Sequence, residues 1–172
     1  MRKQHEERYP LSVEEMFRIF TDPAFYEARY SGSSARHEFV ALGTRGGQFV
    51  CDVRQHLLVD SNRVPALARK LIREENVLHT RMVWELAAGP NGERRGNHSF
   101  RIEGVPVEVK GTMQLVPDGK GCINRIALDI SCSIPLIGGK IAGMLGERAD
   151  KMLDRNYVNT CRYLKEQGLV IA

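Results

Sequence analysis

The chain has 172 residues, 42% hydrophobic and 27% charged, with 25 Lys and Arg against 21 Asp and Glu for a net charge of +4. That balance argues against a disordered chain, a collagen-like repeat or a disulfide scaffold, and the charge excess is too small to argue for nucleic-acid binding. At this length one domain, residues 1–172, is expected, burying about 68–70% of the surface its unfolded chain exposes.

Arg2 to Tyr9 reads as a polar edge strand ending at Pro10. Ser12 then precedes a helix with Glu15 three positions on, the pattern of a reciprocal N-terminal cap. Val13, Met16, Phe17 and Phe20 give that helix an apolar stripe. Thr21 or Asp22 before Pro23 starts a second helix through Phe25, Tyr26 and Tyr30, because proline fits a first helical turn. Ser31-Gly32-Ser33-Ser34 ends it.

From His37 the apolar period becomes two. Gln48–Leu57, Val77–Leu86, Val109–Leu115 and Arg125–Ile134 each alternate apolar and polar residues, as strands with one dry and one wet face do. In the last of these, Ile126, Leu128, Ile130, Cys132 and Ile134 share a face. Gly46-Gly47, Pro90-Asn91-Gly92 and Asp118-Gly119 mark turns. Ser61 or Asn62 and then Pro65 predict a short helix over Ala66–Ile72. After Pro135, one long helix is expected from Gly138 to about Gln167, closed by Gly168, with Ile141, Leu145, Ala149, Met152, Tyr157, Cys161 and Leu164 as its stripe.

That terminal helix is the one element long enough to cover the apolar face of six or seven antiparallel strands. Its first half carries Gly138, Gly139, Ala142, Gly143 and Gly146, and each interior glycine costs about 0.8–1.0 kcal/mol relative to alanine. Two explanations compete: close helix–sheet approach, or room left for a ligand.

This order of elements resembles the START-like (SRPBCC) helix-grip superfamily, which includes Bet v 1-like and polyketide cyclase/dehydrase-like proteins. More narrowly it is similar to the bacterial family DUF2505. The resemblance is carried by Tyr9-Pro10-Leu11-Ser12-Val13-Glu14-Glu15-Met16-Phe17 and Thr21-Asp22-Pro23-Ala24-Phe25-Tyr26. Val64-Pro65, Val83-Trp84, Val109-Lys110-Gly111-Thr112 and Ile134-Pro135-Leu136-Ile137-Gly138-Gly139-Lys140 add to it. It implies an α+β fold in which a curved antiparallel sheet of six or seven strands wraps a long C-terminal helix, with two short helices after the first strand. It also implies a deep apolar cavity of the kind used for lipids, sterols or polyketides, but no particular reaction.

Phe49, Val53, Met82, Trp84, Val109, Met113, Ile126, Leu128 and Ile130 on the sheet, with Met144, Leu145 and Met152 on the helix, are the candidate lining of such a cavity. Methionine suits it, since an unbranched thioether adapts to varied shapes. Gln55, Thr80 and His98, the last in phase with Phe100 and Ile102, are inward polar candidates of the kind that orient a ligand in an apolar pocket. His56 and His79 fall on wet faces, and Arg69-Lys70 and Arg94-Arg95 read as solvated charge.

No catalytic set is assigned. HExxH and paired helical histidines are absent, so a zincin is excluded, and neither Gly46-Gly47 nor Gly138-Gly139 belongs to a phosphate-loop pattern. No metal or other cofactor is expected. Cys51, Cys132 and Cys161 sit at apolar strand or helix positions and Cys122 in a turn; with no Cys-x-x-Cys pair, reduced thiols are the plainer reading.

The first ten residues are charged throughout, unlike a signal peptide, and Ile134–Gly146 is shorter than the ~20 residues a membrane span needs. A cytoplasmic protein is therefore expected, a monomer or homodimer without nucleic acid or integral membrane association, though peripheral membrane contact is compatible with its charge. The leading functional expectation is non-enzymatic binding or carriage of a lipid or other hydrophobic small molecule, with the Ala66–Ile72 helix as a lid. The alternatives are a cyclase- or dehydratase-like enzyme and an interaction module whose cavity is filled by its own side chains.

Overall fold

The computed structural model describes residues 1–60, 62, 64 and 66–170. Strand β1 (Arg2–Tyr9) leads into helices α1 (Val13–Phe20) and α2 (Pro23–Ser31). Strands β2 (Arg36–Arg45), β3 (Gln48–Leu58), β4 (Glu75–Glu85), β5 (Arg94–Ile102), β6 (Val107–Asp118) and β7 (Gly121–Cys132) follow, and helix α3 (Gly138–Glu166) closes the chain. All neighbouring strands are antiparallel, in the order β1-β7-β6-β5-β4-β3-β2, so β1 returns to pair with β7 and stands at one edge while β2 stands at the other. This is an α+β helix-grip arrangement.

Local sequence accounts for the element ends. The Ser12 hydroxyl accepts from the Glu15 backbone N–H at 3.3 Å, and the Glu15 carboxylate accepts from the Ser12 backbone N–H at 2.8 Å. A cap of this type is worth about 1 kcal/mol. Asp22 caps α2 through the Ala24 N–H at 2.9 Å, with Pro23 in the first turn. Gly46 and Gly47 both adopt positive φ (53° and 78°), as a two-residue β2–β3 hairpin requires.

The predicted helix over Ala66–Ile72 does not form: residues 66–71 are hydrogen-bonded turns, with Leu71 N–H donating to Ala68 at 3.0 Å. Ser61 and Pro65, expected to start it, lie outside the described residues. The physical reason is that the segment has little to bury. Leu67 is exposed, Leu71 and Ile72 are only half-buried, and so short a helix is marginal without packing.

Helix α3, 29 residues and about 44 Å long at 1.5 Å per residue, packs on β7 and β1. Gly138 is forced: a Cβ there would collide with the Cys132 backbone carbonyl. At Gly146 a Cβ would come within 2.5 Å of Met1 Sδ and 3.1 Å of Lys3 Cε. Gly139 and Gly143 have nothing within 4 Å of a Cβ position. Close approach thus accounts for two of the four glycines. Cys122, read as a turn residue, instead lies buried in β7 opposite Tyr9.

An aromatic cluster joins the short helices to the sheet. Phe20 stacks on Trp84 with centroids 5.6 Å apart and planes 9° from parallel, and meets Tyr9 edge-on at 5.9 Å. Tyr26 stacks on Phe49 at 5.6 Å and donates its hydroxyl to the Phe20 carbonyl at 2.8 Å. Such pairs add about 0.5–1.5 kcal/mol each beyond the area they bury. Arg94, read as solvated charge, is instead largely covered. Its guanidinium lies 4.2 Å from the Phe17 ring centroid, donates to the Leu86 carbonyl and pairs with Glu14 at 2.7 Å, tying β5 to α1.

Candidate functional site

Between the sheet, α2 and the second half of α3 lies a cavity of about 710 Å³, within the usual range of small-molecule sites. Alternation along the strands builds its floor. Gln55 and Leu57 of β3, Leu78, Thr80, Met82 and Trp84 of β4, His98 and Phe100 of β5, and Met113 of β6 all point inward. Ile126 and Asn124 of β7 and Glu7 of β1 continue it towards the edge. Phe25, Tyr26, Arg29 and Tyr30 of α2 form one side, and Met152, Leu153, Asn156, Thr160 and Tyr163 of α3 the roof.

Of the sequence-predicted residues, the structure brings Gln55, Thr80, Met82, Trp84, His98, Phe100, Met113, Ile126 and Met152 together around this space. Phe49, Val53, Val109, Leu128 and Ile130 do not line it; they are consumed in the solid core at 4% exposure or less. Met144 and Leu145 also lie away from it, because only the half of α3 from Met152 onward faces the cavity. The glycine-rich first half is the part that presses on β7 and β1, so the glycines do not supply the room for a ligand. With Ala66–Leu71 in turns and absent from the lining, the expected helical lid is not present either.

Three polar features escaped the sequence reading. Glu7 and Asn124 are buried cross-strand neighbours on β1 and β7. Their signal was parity: Glu7 is in phase with Tyr9, and Asn124 with Ile126, but β1 read as a wholly polar edge. The third is Arg29, whose guanidinium lies 5.3 Å from the Phe25 centroid and forms no ion pair among the described residues. Exposed Arg155, Arg162 and Glu166 of α3 line the solvent side of the cavity.

Burial sets the protonation of the lining. His98 is held down to about 4, first by desolvation and then by the Arg29 charge, so its ring is neutral at neutral pH. Burial pushes Tyr30 up to about 12 and raises Tyr9 and Tyr26 as well, Tyr9 further through the adjacent Glu7 carboxylate. Burial likewise pushes Cys51 up to about 12 and Cys122 to about 11, which keeps both as inert thiols; all four cysteines are free. His56 and His79 face outward and pair with Glu75 at 3.0 Å and Glu103 at 2.6 Å. Among the described residues no three His, Cys, Asp or Glu side chains gather as a metal site would require.

The seven-stranded antiparallel sheet gripping a long C-terminal helix, with a cavity between them, is a fold shared with START-superfamily and Bet v 1-like structures. The chain aligns with a START superfamily protein from Mycobacterium smegmatis at TM-score 0.55 and 12% identity, over 94% of this chain and 98% of that one. It aligns with norcoclaurine synthase from Thalictrum flavum, solved with dopamine and hydroxybenzaldehyde, at TM-score 0.55 and 16% identity, over 94% and 87%. The chain belongs to the DUF2505 family of proteins of unknown function, whose model matches residues 4–164. It is similar to the uncharacterized protein Rv0481c of Mycobacterium tuberculosis, 27% identical over 153 residues covering 84% of this chain and 86% of that protein.

Proposed function

We propose that this protein binds or carries a hydrophobic small molecule, a lipid among the candidates, in the cavity beneath the second half of α3, with residues 1–172 acting as one domain. The observation that carries the reading is the 710 Å³ of space left between well-packed walls. Protein interiors are normally close-packed, and voids larger than a water molecule are few. A space this large, open to solvent on one side and bounded by Trp84, Phe100, Met82, Met113, Ile126 and Met152, leaves apolar side chains against water that a hydrophobic ligand would displace. The arginines at the opening suit an amphiphile that carries an anionic group at its outer end.

An enzymatic reading finds less support. Gln55, Thr80 and His98 line one cavity, yet no side-chain hydrogen bond joins any two of them among the described residues. Acid–base catalysis needs groups in hydrogen-bond reach of a common proton, and a base matched to the working pH.

Native mass spectrometry of gently purified protein, followed by delipidation and titration with an environment-sensitive apolar dye, tests the proposal. Expected are a bound mass lost on delipidation and a saturable, one-to-one dye signal that lipids or sterols reverse. Absence of both a bound mass and dye binding overturns it.

A further inference from the structure

The inner end of the cavity is built from hydrogen-bond acceptors whose donors have been spent. Glu7 is 5% exposed and Asn124 3% exposed, and the two stand directly opposite each other on β1 and β7. A single oxygen of Glu7, Oε2, accepts from both the Tyr9 hydroxyl at 2.8 Å and Asn124 Nδ2 at 2.9 Å. The Glu7 contact also orients the Asn124 amide, which must turn its nitrogen to the carboxylate and leave Oδ1 outward. Asn124 Oδ1 is buried without a partner, and Glu7 Oε1 makes no hydrogen bond among the described residues.

Two nearby hydroxyls are already committed elsewhere, while His5 Nε2, two residues before Glu7 on the same face of β1, is itself buried without a partner. The Thr160 hydroxyl donates to the Asn156 carbonyl of its own helix at 2.8 Å, and the Tyr157 hydroxyl donates to the Arg8 carbonyl at 2.8 Å. Arg29 lines the cavity from α2, but it lies over the Phe25 ring and reaches no carboxylate. Buried acceptors are rarely left unmet, so Asn124 Oδ1, with the uncommitted Glu7 Oε1 beside it at the cavity wall, marks where a partner belongs.

We infer that Glu7 and Asn124 form a subsite for a hydrogen-bond donor, an O–H or N–H group, at the inner end of an otherwise apolar ligand. The inference rests on the cavity reading above and adds the ligand's polarity and orientation: donor inward against β1 and β7, any anionic group outward towards the exposed Arg155 and Arg162. A carboxylate or ether cannot serve at the inner end, since the first meets like charge and the second brings only another acceptor. A donor to a charged acceptor is worth about tenfold or more in affinity over a matched ligand lacking it.

Competition of dodecan-1-ol, dodecylamine and dodecyl methyl ether against a bound apolar dye tests this on the wild-type protein. The alcohol or the amine, or both, should bind at least about tenfold tighter than the ether. An amine that exceeds the alcohol assigns the subsite to an ammonium on Glu7; an alcohol equal to or better than the amine assigns it to a neutral hydroxyl. Equal affinity for all three overturns the subsite and leaves the cavity reading standing, whereas binding of none overturns both. E7Q adds a second readout. Its amide oxygen can still accept from Tyr9 and Asn124, while its N–H₂ turns the free acceptor into a donor. The alcohol's advantage over the ether should then vanish or reverse; an advantage that survives unchanged in folded E7Q overturns the role of Glu7.

Discussion

His98 illustrates how one residue's surroundings become a property of the protein. Its folded pKa of about 4 lies below the ordinary 6.5 because desolvation and Arg29 both penalise the imidazolium. Between those two values the unfolded chain binds a proton that the folded chain does not, so stability rises with pH across the window. The contribution is fully present above about pH 6.5, declines as pH falls towards 4, and is constant below it. At about 1.36 kcal/mol per unit this amounts to something on the order of 3 kcal/mol. Denaturant unfolding at pH 7 and pH 4.5 should show a smaller acid loss in His98→Gln than in wild type, and an NMR titration should find the wild-type ring neutral at pH 5. A loss of equal size in both proteins would refute the assignment.

At the scale of elements, the two kinds of glycine in α3 make opposite predictions. Gly143→Ala meets nothing within 4 Å and removes an interior helix glycine. It should raise stability by up to about 1 kcal/mol. Gly138→Ala would drive its Cβ into the Cys132 carbonyl, a backbone group that cannot swing aside, at the junction where β7 hands over to α3. It should lower stability by about 1–3 kcal/mol, the range for overpacking. Thermal and denaturant unfolding of the two variants measure both changes, and equal effects would mean that α3 does not press on the sheet at its start.

These elements were mostly legible in the chain. The Ser12–Glu15 cap, the alternation in β3, β4, β6 and β7 and the Gly168 stop depend on neighbours a few residues away. Alternation identified the inward residues of each strand, including Gln55, Thr80 and His98. It did not say which of them face a helix and which face open space, so Phe49, Val53, Leu128 and Ile130 were grouped with the lining although they are packed solid. Ala66–Ile72 had a helical pattern but no surface to bury it.

At the scale of the whole molecule, the cavity exists because one long helix covers a broad sheet unevenly, tight at its first half and open beyond Met152. Tryptophan substitutions at two positions on that helix test the division. Met152→Trp should fill the cavity and weaken apolar-dye binding by about tenfold or more, while Met144→Trp, outside the lining, should leave it within about twofold. The reverse ranking in the dye titration would place the cavity at the glycine-rich end. Among the described residues, no helix is long and apolar enough to cross a membrane.

The amino-acid sequence by itself determined the elements, their order and the apolar face of each, because caps, turns and periodicity are settled between residues close along the chain. Only the tertiary structure decided where the interior stays empty and that Glu7 meets Asn124 across 117 positions of sequence. Both follow from the return of β1 to the edge of β7 and from the line along which α3 lies, and no local pattern encodes the distance between surfaces that fold together from opposite ends of the chain.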